Sequence, residues 1–286
     1  MALARFVDGV RKDLEHGVLA AVQSVRAEDD ARALAHTVRA LEGRDALVAV
    51  IRFFCFCHWG FSISPKFTIL IFKHKTWYII RFFDHNGKWP RQIFAFGGIH
   101  PDDPTPEEHL LQIKQAGLYG IKLHPDYQQT YIDDPKYIRI LGKCADLHLP
   151  VVIHAGVDDG FPETVHCTPD RTLHMLEQVY GDTMPEQPNI VLAHGGANRM
   201  HEEVLEKLCG KPVYFDISFI LSYIQPELLL QIIRKHGADR ILFATDFPWS
   251  DPAADLTAVQ NLPLTDAAKE QILWKNAQTL LHLPQI

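Results

Sequence analysis

The feature that most constrains this chain is a recurrence. From residue 92 onward a strand-like apolar run followed by a helical one occurs six times, the runs starting near Ile93, Gly120, Val151, Ile190, Val213 and Ile241. Successive spacings are 27, 31, 39, 23 and 28 residues, which suits a strand, a helix and two short connections. Strands alternating with helices of this size predict a parallel sheet, because parallel neighbours need a long crossover between them.

The helices carry their own boundary signals. Thr105-Pro106-Glu107-Glu108 combines an N-cap, proline at the first helical position and a glutamate three residues after the cap, and Gly117 closes that helix. Thr168-Pro169 opens another, with Leu173, Leu176 and Tyr180 on one face before Gly181. Gln225-Pro226 opens a third, with Leu229, Ile232 and Ile233 inward and Gly237 after it. Thr265 caps a last helix containing Ile272, Leu273, Leu280 and Leu281.

Six units, with residues 1–91 ahead of them, leave room for eight. The expected fold class is therefore α/β, a closed (β/α)8 TIM barrel, incomplete or distorted at its first strands if those residues do not supply regular units. An open doubly wound sheet is the alternative, weakened because no Gly-x-Gly-x-x-Gly follows any of the strands. At 286 residues and 47% hydrophobic content the chain can bury one large core, so a single domain over 1–286 is expected, with 1–91 atypical and 92–283 regular.

The first third departs from this order. Residues 1–42 read as helix and 46–54 as a strand, after which no acidic residue occurs between Asp45 and Asp84 while eight phenylalanines (53, 54, 56, 61, 67, 72, 82 and 83) crowd the same stretch. Three readings are open: buried strands, a patch that docks to a membrane or partner, or a segment foreign to the fold. The apolar runs 67–72 and 77–83 fall short of the roughly 18 residues that a membrane span needs, so no span is expected.

A net charge of -7 without a dense Lys/Arg stripe argues against nucleic acid and for a small-molecule substrate, and is compatible with a homo-oligomer. The five cysteines are odd in number and scattered, which points to a reducing compartment. The N-terminus has no basic segment followed by an apolar one, so no secretory signal is expected and the cytoplasm is the predicted location.

In a barrel of this type the C-terminal strand ends build the site. Alternation of side chains puts His154 inward with Val152 in Val151-Val152-Ile153-His154, and the same alternation is expected to bring His194 inward in Val191-Leu192-Ala193-His194. It places Asp246 with Leu242 and Ala244, and Lys122 with His124. His100 after the first run and Asp216 in Tyr214-Phe215-Asp216 complete a ring in which four strands end in histidine and two in aspartate. Neutral imidazoles and carboxylates suit one divalent ion of the zinc type, which with an open position lowers the pKa of bound water to about 7. A carboxylate beside such a water can accept its proton, a role suited to Asp246.

A lone strand-end histidine is ordinarily just hydrogen-bonded, but three inward candidates on successive strands argue for a shared site. Lys122 can pair with an acid or touch the site, and Asp216 is better suited to holding a neighbour than to touching substrate. His166 and Cys167, in the loop 156–168, line a pocket or are plain loop residues. Trp249 is a substrate wall or a cover over the barrel mouth.

Gly-Ile-Lys-Leu-His-Pro (120–125), Val-Val-Ile-His-Ala-Gly (151–156), Val-Leu-Ala-His-Gly-Gly (191–196) and Ile-Leu-Phe-Ala-Thr-Asp-Phe-Pro-Trp (241–249) resemble the amidohydrolase superfamily in its amidohydrolase-related branch. The resemblance covers about residues 92–283. It implies a barrel holding a divalent metal, usually zinc, with His154 as a metal ligand, His194 binding metal or orienting water, and Asp246 as ligand and proton acceptor. Lys122, His124, His100, His166 and Trp249 are then candidates for contact with substrate. The branch usually supplies two more ligands from a His-x-His pair on its first strand, and residues 1–92 contain no such pair. Cys55-Phe-Cys57 and Asp84-His85 are the available surrogates. The leading expectation is a metal-dependent hydrolase acting on a small molecule. The alternatives are a related metal-dependent decarboxylase, or a catalytically degenerate barrel that binds without turning over.

Overall fold

This computed structural model describes the strands 47–51, 68–73 and 76–80, residue 94, and residues 96–283 apart from 182–184, 186–187 and 247–248. The helical reading of 1–42, the pair Cys55-Phe-Cys57 and the pair Asp84-His85 lie outside the described residues. The chain separates into two units, residues 1–93 and 94–286.

In the first unit, β1 (Leu47–Ile51), β2 (Thr68–Lys73) and β3 (Thr76–Ile80) form an antiparallel meander. Leu47 lies opposite Phe72, and Ile69 opposite Ile80. Only residues 74 and 75 separate β2 from β3. So short a link cannot contain a crossover, so these two strands must run antiparallel and do not form a βα unit.

The second unit is built on six short strands. They are β4 (Gly97–Ile99), β5 (Ile121–Leu123), β6 (Val151–Ile153), β7 (Ile190–Leu192), β8 (Tyr214–Asp216) and β9 (Ile241–Leu242). Each pairs in parallel with the next, so order in the sheet follows order in the chain. A doubly wound sheet reverses its strand order at a switch point, and no reversal occurs among these strands. This continuous winding is that of a (β/α)8 barrel.

The helices start where the sequence signals place them. Proline occupies the first turn of α1 (Pro106–Gln115), α2 (Pro135–Asp146) and α3 (Pro169–Tyr180). Asp134 accepts the Lys136 N–H, and Thr168 accepts the Arg171 N–H. Thr105 departs from its expected role: its side chain makes no cap bond, while its own N–H donates to Asp103 Oδ1 at 2.9 Å. Beyond α4 (His201–Glu203) lies α5 (Pro226–His236), which buries Leu229, Ile232 and Ile233 and ends at Gly237 with φ 104°. The Pro252–Asn261 helix is α6. Thr265 accepts the Ala268 N–H to start α7 (Asp266–Glu270), and a π-helical turn at Gln271–Lys275 joins it to α8 (Asn276–Leu280). Among the described residues no helix is long and apolar enough to cross a membrane.

Strand register sorts the side chains into two layers. Ile121, Val151, Ile153, Ile190, Leu192 and Phe215 join the core that the helices cover, each such burial being worth about 1.5–3 kcal/mol. Val191, Tyr214 and Leu242 form a second apolar group with Val152 against it, on the face that also carries Lys122. The inner residue of β7 is thus Val191, and Leu192 packs outward. Simple alternation would have put Leu192 inward with His194, so His194 must reach the site by another route.

Candidate functional site

That route is a left-handed turn. β7 stops at Leu192, and His194, Gly195 and Gly196 then take φ values of 60°, 72° and 95°. A Cβ on Gly195 would come within 2.7 Å of Ile220 Cδ1, so glycine is needed for space as well as for backbone angle. The turn is held by its neighbours. The His194 N–H donates to Asp216 Oδ1 at 3.0 Å, and the His194 carbonyl accepts from His201 Nε2 at 3.1 Å. The resulting ring position puts His194 Nε2 at 3.0 Å from His154 Nδ1 and His194 Nδ1 at 3.0 Å from Ser218 Oγ and 3.2 Å from the Ser218 carbonyl. The Ser218 hydroxyl donates to Asp216 Oδ1 at 2.6 Å, and the Ser218 N–H reaches the same oxygen at 3.0 Å. Asp216 therefore organises its neighbours.

His154 follows β6 and is buried. Its Nε2 has no hydrogen-bond partner, and neither does Oδ2 of the fully buried Asp126, 3.8 Å away. Asp158 Oδ2 lies 3.7 Å from the same nitrogen. Each carboxylate is pinned through its other oxygen: Asp126 Oδ1 accepts the His166 N–H at 3.1 Å and pairs with His166 Nδ1 at 2.9 Å, and Asp158 Oδ1 accepts the Gly160 N–H at 2.7 Å. His124 stacks on His154, ring centroids 4.1 Å apart and planes 10° apart, with its Nε2 3.5 Å from Asp158 Oδ2. His124, His154 and Asp158 form a group with donor atoms within 4.8 Å of one another.

Desolvation dominates the electrostatics. Burial, then the neighbouring His124, His194 and Lys122, pushes the His154 pKa far down, and His124 is lowered chiefly by burial and then by Lys122. Both imidazoles are neutral at ordinary pH, the form that can offer a lone pair. Burial raises the Asp158 pKa, opposed by the Gly160 N–H. Burial lowers the Lys122 pKa, opposed by Asp216 and then Asp246.

The predicted residues divide into those the fold gathers and those it does not. His154, His194 and His124 meet, with Lys122 on the inner face and His166 tied to Asp126. His100 directly follows β4 and is half-buried. Asp246 lies four residues past β9, exposed, with φ 55° and its carbonyl accepting the Trp249 N–H at 2.9 Å. It does not join the group around His154, although its charge is felt at Lys122 and Tyr127. Trp249 is 61% exposed, as is Tyr127, which meets Phe161 edge to face at 5.1 Å. Cys167 is a buried thiol beside Thr172, its pKa pushed up to about 12, and serves as packing.

Sequence reasoning missed Asp126, Asp158 and Ser218. Asp126 stands two residues after His124 and Asp158 four after His154. A carboxylate just past a histidine-ended strand was the available signal.

A family model described as amidohydrolase matches residues 67–283 of this chain. A gamma-resorcylate decarboxylase of Polaromonas sp. is 39% identical over 75 residues, 24% of this chain and 22% of that protein, so the match spans about a fifth of the relative's length. Among solved structures, a 2,6-dihydroxybenzoate decarboxylase from Rhizobium is similar with a TM-score of 0.50 and 20% identity, over 66% of this chain and 71% of the other. A 5-carboxyvanillate decarboxylase from Sphingomonas paucimobilis gives a TM-score of 0.52 and 16% identity, over 66% of each chain. At these identities the two structures bear on the fold alone.

Proposed function

This chain belongs to the amidohydrolase family, and from that membership we propose that it is a metal-dependent decarboxylase acting on a small aromatic carboxylic acid. The observation that carries this reading is the local 39% identity to gamma-resorcylate decarboxylase. Hydrolysis, the leading expectation from sequence, keeps support at the level of the family, whereas decarboxylation is supported by the family and by this relative. The aromatic side chains Tyr127, Phe161 and Trp249 near the strand ends favour a planar substrate.

Decarboxylation breaks the bond between the ring carbon and the carboxylate. The bond's electron pair stays on the carbon, carbon dioxide leaves, and one proton adds to that carbon. On this reading Lys122, on the inner face, neutralises the substrate carboxylate, and Asp246 delivers the proton at the ring carbon. His194 holds the geometry of His154, while His100, His124, His166 and Trp249 line the substrate.

The residues fit a divalent ion. A buried imidazole nitrogen and a buried carboxylate oxygen stand unpartnered 3.8 Å apart, an arrangement that costs free energy unless something satisfies both. His154 would hold such an ion, which when bound would polarise a substrate oxygen as a Lewis acid. Zinc is the ion first expected, since imidazole and carboxylate donors suit it. A single domain is supported by a family match that begins at residue 67, inside the first unit. A reducing, cytoplasmic setting is supported by the odd number and scatter of the five cysteines in the sequence.

The test is carbon dioxide release from a panel of mono- and dihydroxybenzoates by the purified chain, with and without added zinc or manganese. Release that needs metal and stops with chelator is expected. Ammonia or alcohol release from amides or esters, with every benzoate inert, would favour hydrolysis. Metal binding without any turnover would favour the degenerate barrel.

A further inference from the structure

We propose that His166, oriented by Asp126, is an acid–base residue of this site, which takes the proton of a ring hydroxyl of the substrate and later returns it. The inference rests on the decarboxylase reading above and adds a residue to its chemistry. It follows from the way two loops meet.

Asp126 belongs to the loop after β5 and His166 to the loop after β6, so both stand at the strand ends, where barrel sites are built. Their backbones are tied twice. The His166 N–H donates to Asp126 Oδ1 at 3.1 Å, and the His166 carbonyl accepts the Ile132 N–H at 3.0 Å. Tyr131 lies beside the imidazole with ring centroids 4.8 Å apart, and the Arg171 guanidinium stands 3.7 Å from the centre of the Tyr131 ring. The imidazole is therefore placed before any substrate arrives.

A carboxylate oxygen accepts, so His166 Nδ1 carries the proton in its 2.9 Å contact with Asp126 Oδ1. Neutral His166 then presents a lone pair at Nε2. Among the described residues nothing bonds that nitrogen, and the side chain stays 13% exposed above an Asp126 side chain that is 0% exposed. A buried carboxylate behind an accessible imidazole fixes its tautomer and stabilises the imidazolium that forms when it takes a proton. The other oxygen of Asp126 lies 3.8 Å from His154 Nε2, so a single carboxylate separates His166 from the centre of the site.

The proton route balances for a hydroxyl ortho or para to the substrate carboxylate. The hydroxyl proton passes to His166 Nε2 while the oxygen's electron pair moves into the ring. A ring electron pair takes the Asp246 proton at the carbon that bears the carboxylate. The carbon–carbon bond then breaks, its pair re-forms the aromatic ring, and carbon dioxide leaves. His166 returns its proton to the ring oxygen, so the one proton consumed is that of Asp246.

An imidazole on an aspartate is not in itself a base. His109 Nδ1 pairs with Asp103 Oδ2 at 2.6 Å, but Asp103 spends its other oxygen on the Thr105 N–H, and the two residues lie six positions apart at the start of α1. That pair fastens a helix end. His166 and Asp126 lie 40 positions apart and join two strand-end loops.

The test uses the zinc-loaded full chain and whichever hydroxybenzoate of the panel the wild type turns over. His166→Asn keeps a side-chain N–H for Asp126 in the place of Nδ1 and lacks the distal nitrogen. It should lower kcat by about 100-fold or more with KM held within about threefold, as loss of an acid–base group does. His109→Asn, the same change in the helix pair, should leave kcat within about twofold of wild type. Bound zinc and far-UV circular dichroism should match the wild type in both variants. Asp126→Asn should cost less in the His166→Asn background than alone, because groups that act as one unit are not additive. Long-range nitrogen–proton spectra of the wild type should show His166 protonated at Nδ1 and bare at Nε2, a readout independent of turnover. Near-wild-type kcat in His166→Asn, fully additive losses in the double variant, or a His166 proton on Nε2 would each overturn this route and leave decarboxylation standing. A wild type inert toward every benzoate would overturn the decarboxylase reading, and the route with it.

Discussion

His154 and His236 are both buried histidines whose basicity is reduced first by desolvation, yet they do different work. His236 ends α5 and stacks on Phe215 at 3.8 Å with planes 12° apart. Its Nδ1 accepts the Gly210 N–H at 3.1 Å, and its Nε2–H donates to the Val213 carbonyl at 2.9 Å. Every polar atom of that ring is satisfied by backbone at the start of β8, the end of the barrel that carries structure. His154 sits at the opposite end of its strand with one nitrogen satisfied and the other bare. Burial and lowered basicity are common to both rings, so neither marks function. The unpartnered nitrogen does.

The largest effects should come from breaking the contrast directly. His154→Asn should abolish stoichiometric metal binding and lower turnover by about 1,000-fold, equivalent to about 4 kcal/mol of barrier, while leaving the melting midpoint of the metal-free chain nearly unchanged. Turnover within tenfold of wild type would return His154 to the class of His236. The reciprocal substitution, His236→Ala, should cost about 3 kcal/mol of stability. It removes the stacked ring and leaves a buried N–H and carbonyl unpaired. Turnover per folded molecule should hold, which urea unfolding and active-site titration would check together.

Proton linkage sharpens the same comparison at a somewhat smaller scale. The His236 pKa falls from an ordinary 6.5 to about 4 on folding, because burial and then Arg240 disfavour the charged ring. The unfolded chain therefore binds this proton first as pH drops. Stability from this group is complete above pH 6.5 and is lost as pH falls toward 4, by up to about 3 kcal/mol. Urea midpoints of the metal-free chain should fall across that window more steeply than those of His236→Phe, which keeps the stack and cannot titrate. Parallel slopes would remove the assignment.

Much of the scaffold was legible because its signals are local. Proline at the first helical position marks where α3 and α5 begin, and the recurring apolar runs mark all six parallel strands, whatever surrounds them. The candidate site was legible only where it lay on strand ends. His154 follows β6 directly, whereas His194 comes beside it by a route that strand alternation does not give, since the turn that aims it depends on two glycines and on Asp216 of another strand. Asp126 and Asp158 sit in loops whose meeting is tertiary. His166 reaches back 40 positions to Asp126, and no periodicity encodes such a contact. Thr105 shows how far a local signal goes: α1 begins at Pro106 as the sequence places it, but the threonine side chain makes no cap bond and its N–H donates to Asp103.

The smallest predicted effect is the most selective. Ser218→Ala removes the hydroxyl that accepts from His194 Nδ1 and donates to Asp216, but it removes neither end of the chain. His194 Nδ1 keeps the Ser218 carbonyl at 3.2 Å, and Asp216 Oδ1 keeps the backbone N–H groups of His194 and Ser218. His194 should keep its contact with His154 Nδ1 while its ring gains freedom. The expected cost is about tenfold in zinc affinity and a similar loss in kcat with little change in KM, at the low end for groups that orient a metal ligand. A loss as large as that of His154→Asn would mean that the hydroxyl itself meets substrate. No loss at all would mean that the carbonyl alone holds His194, and that the relay ends one residue sooner than its geometry suggests.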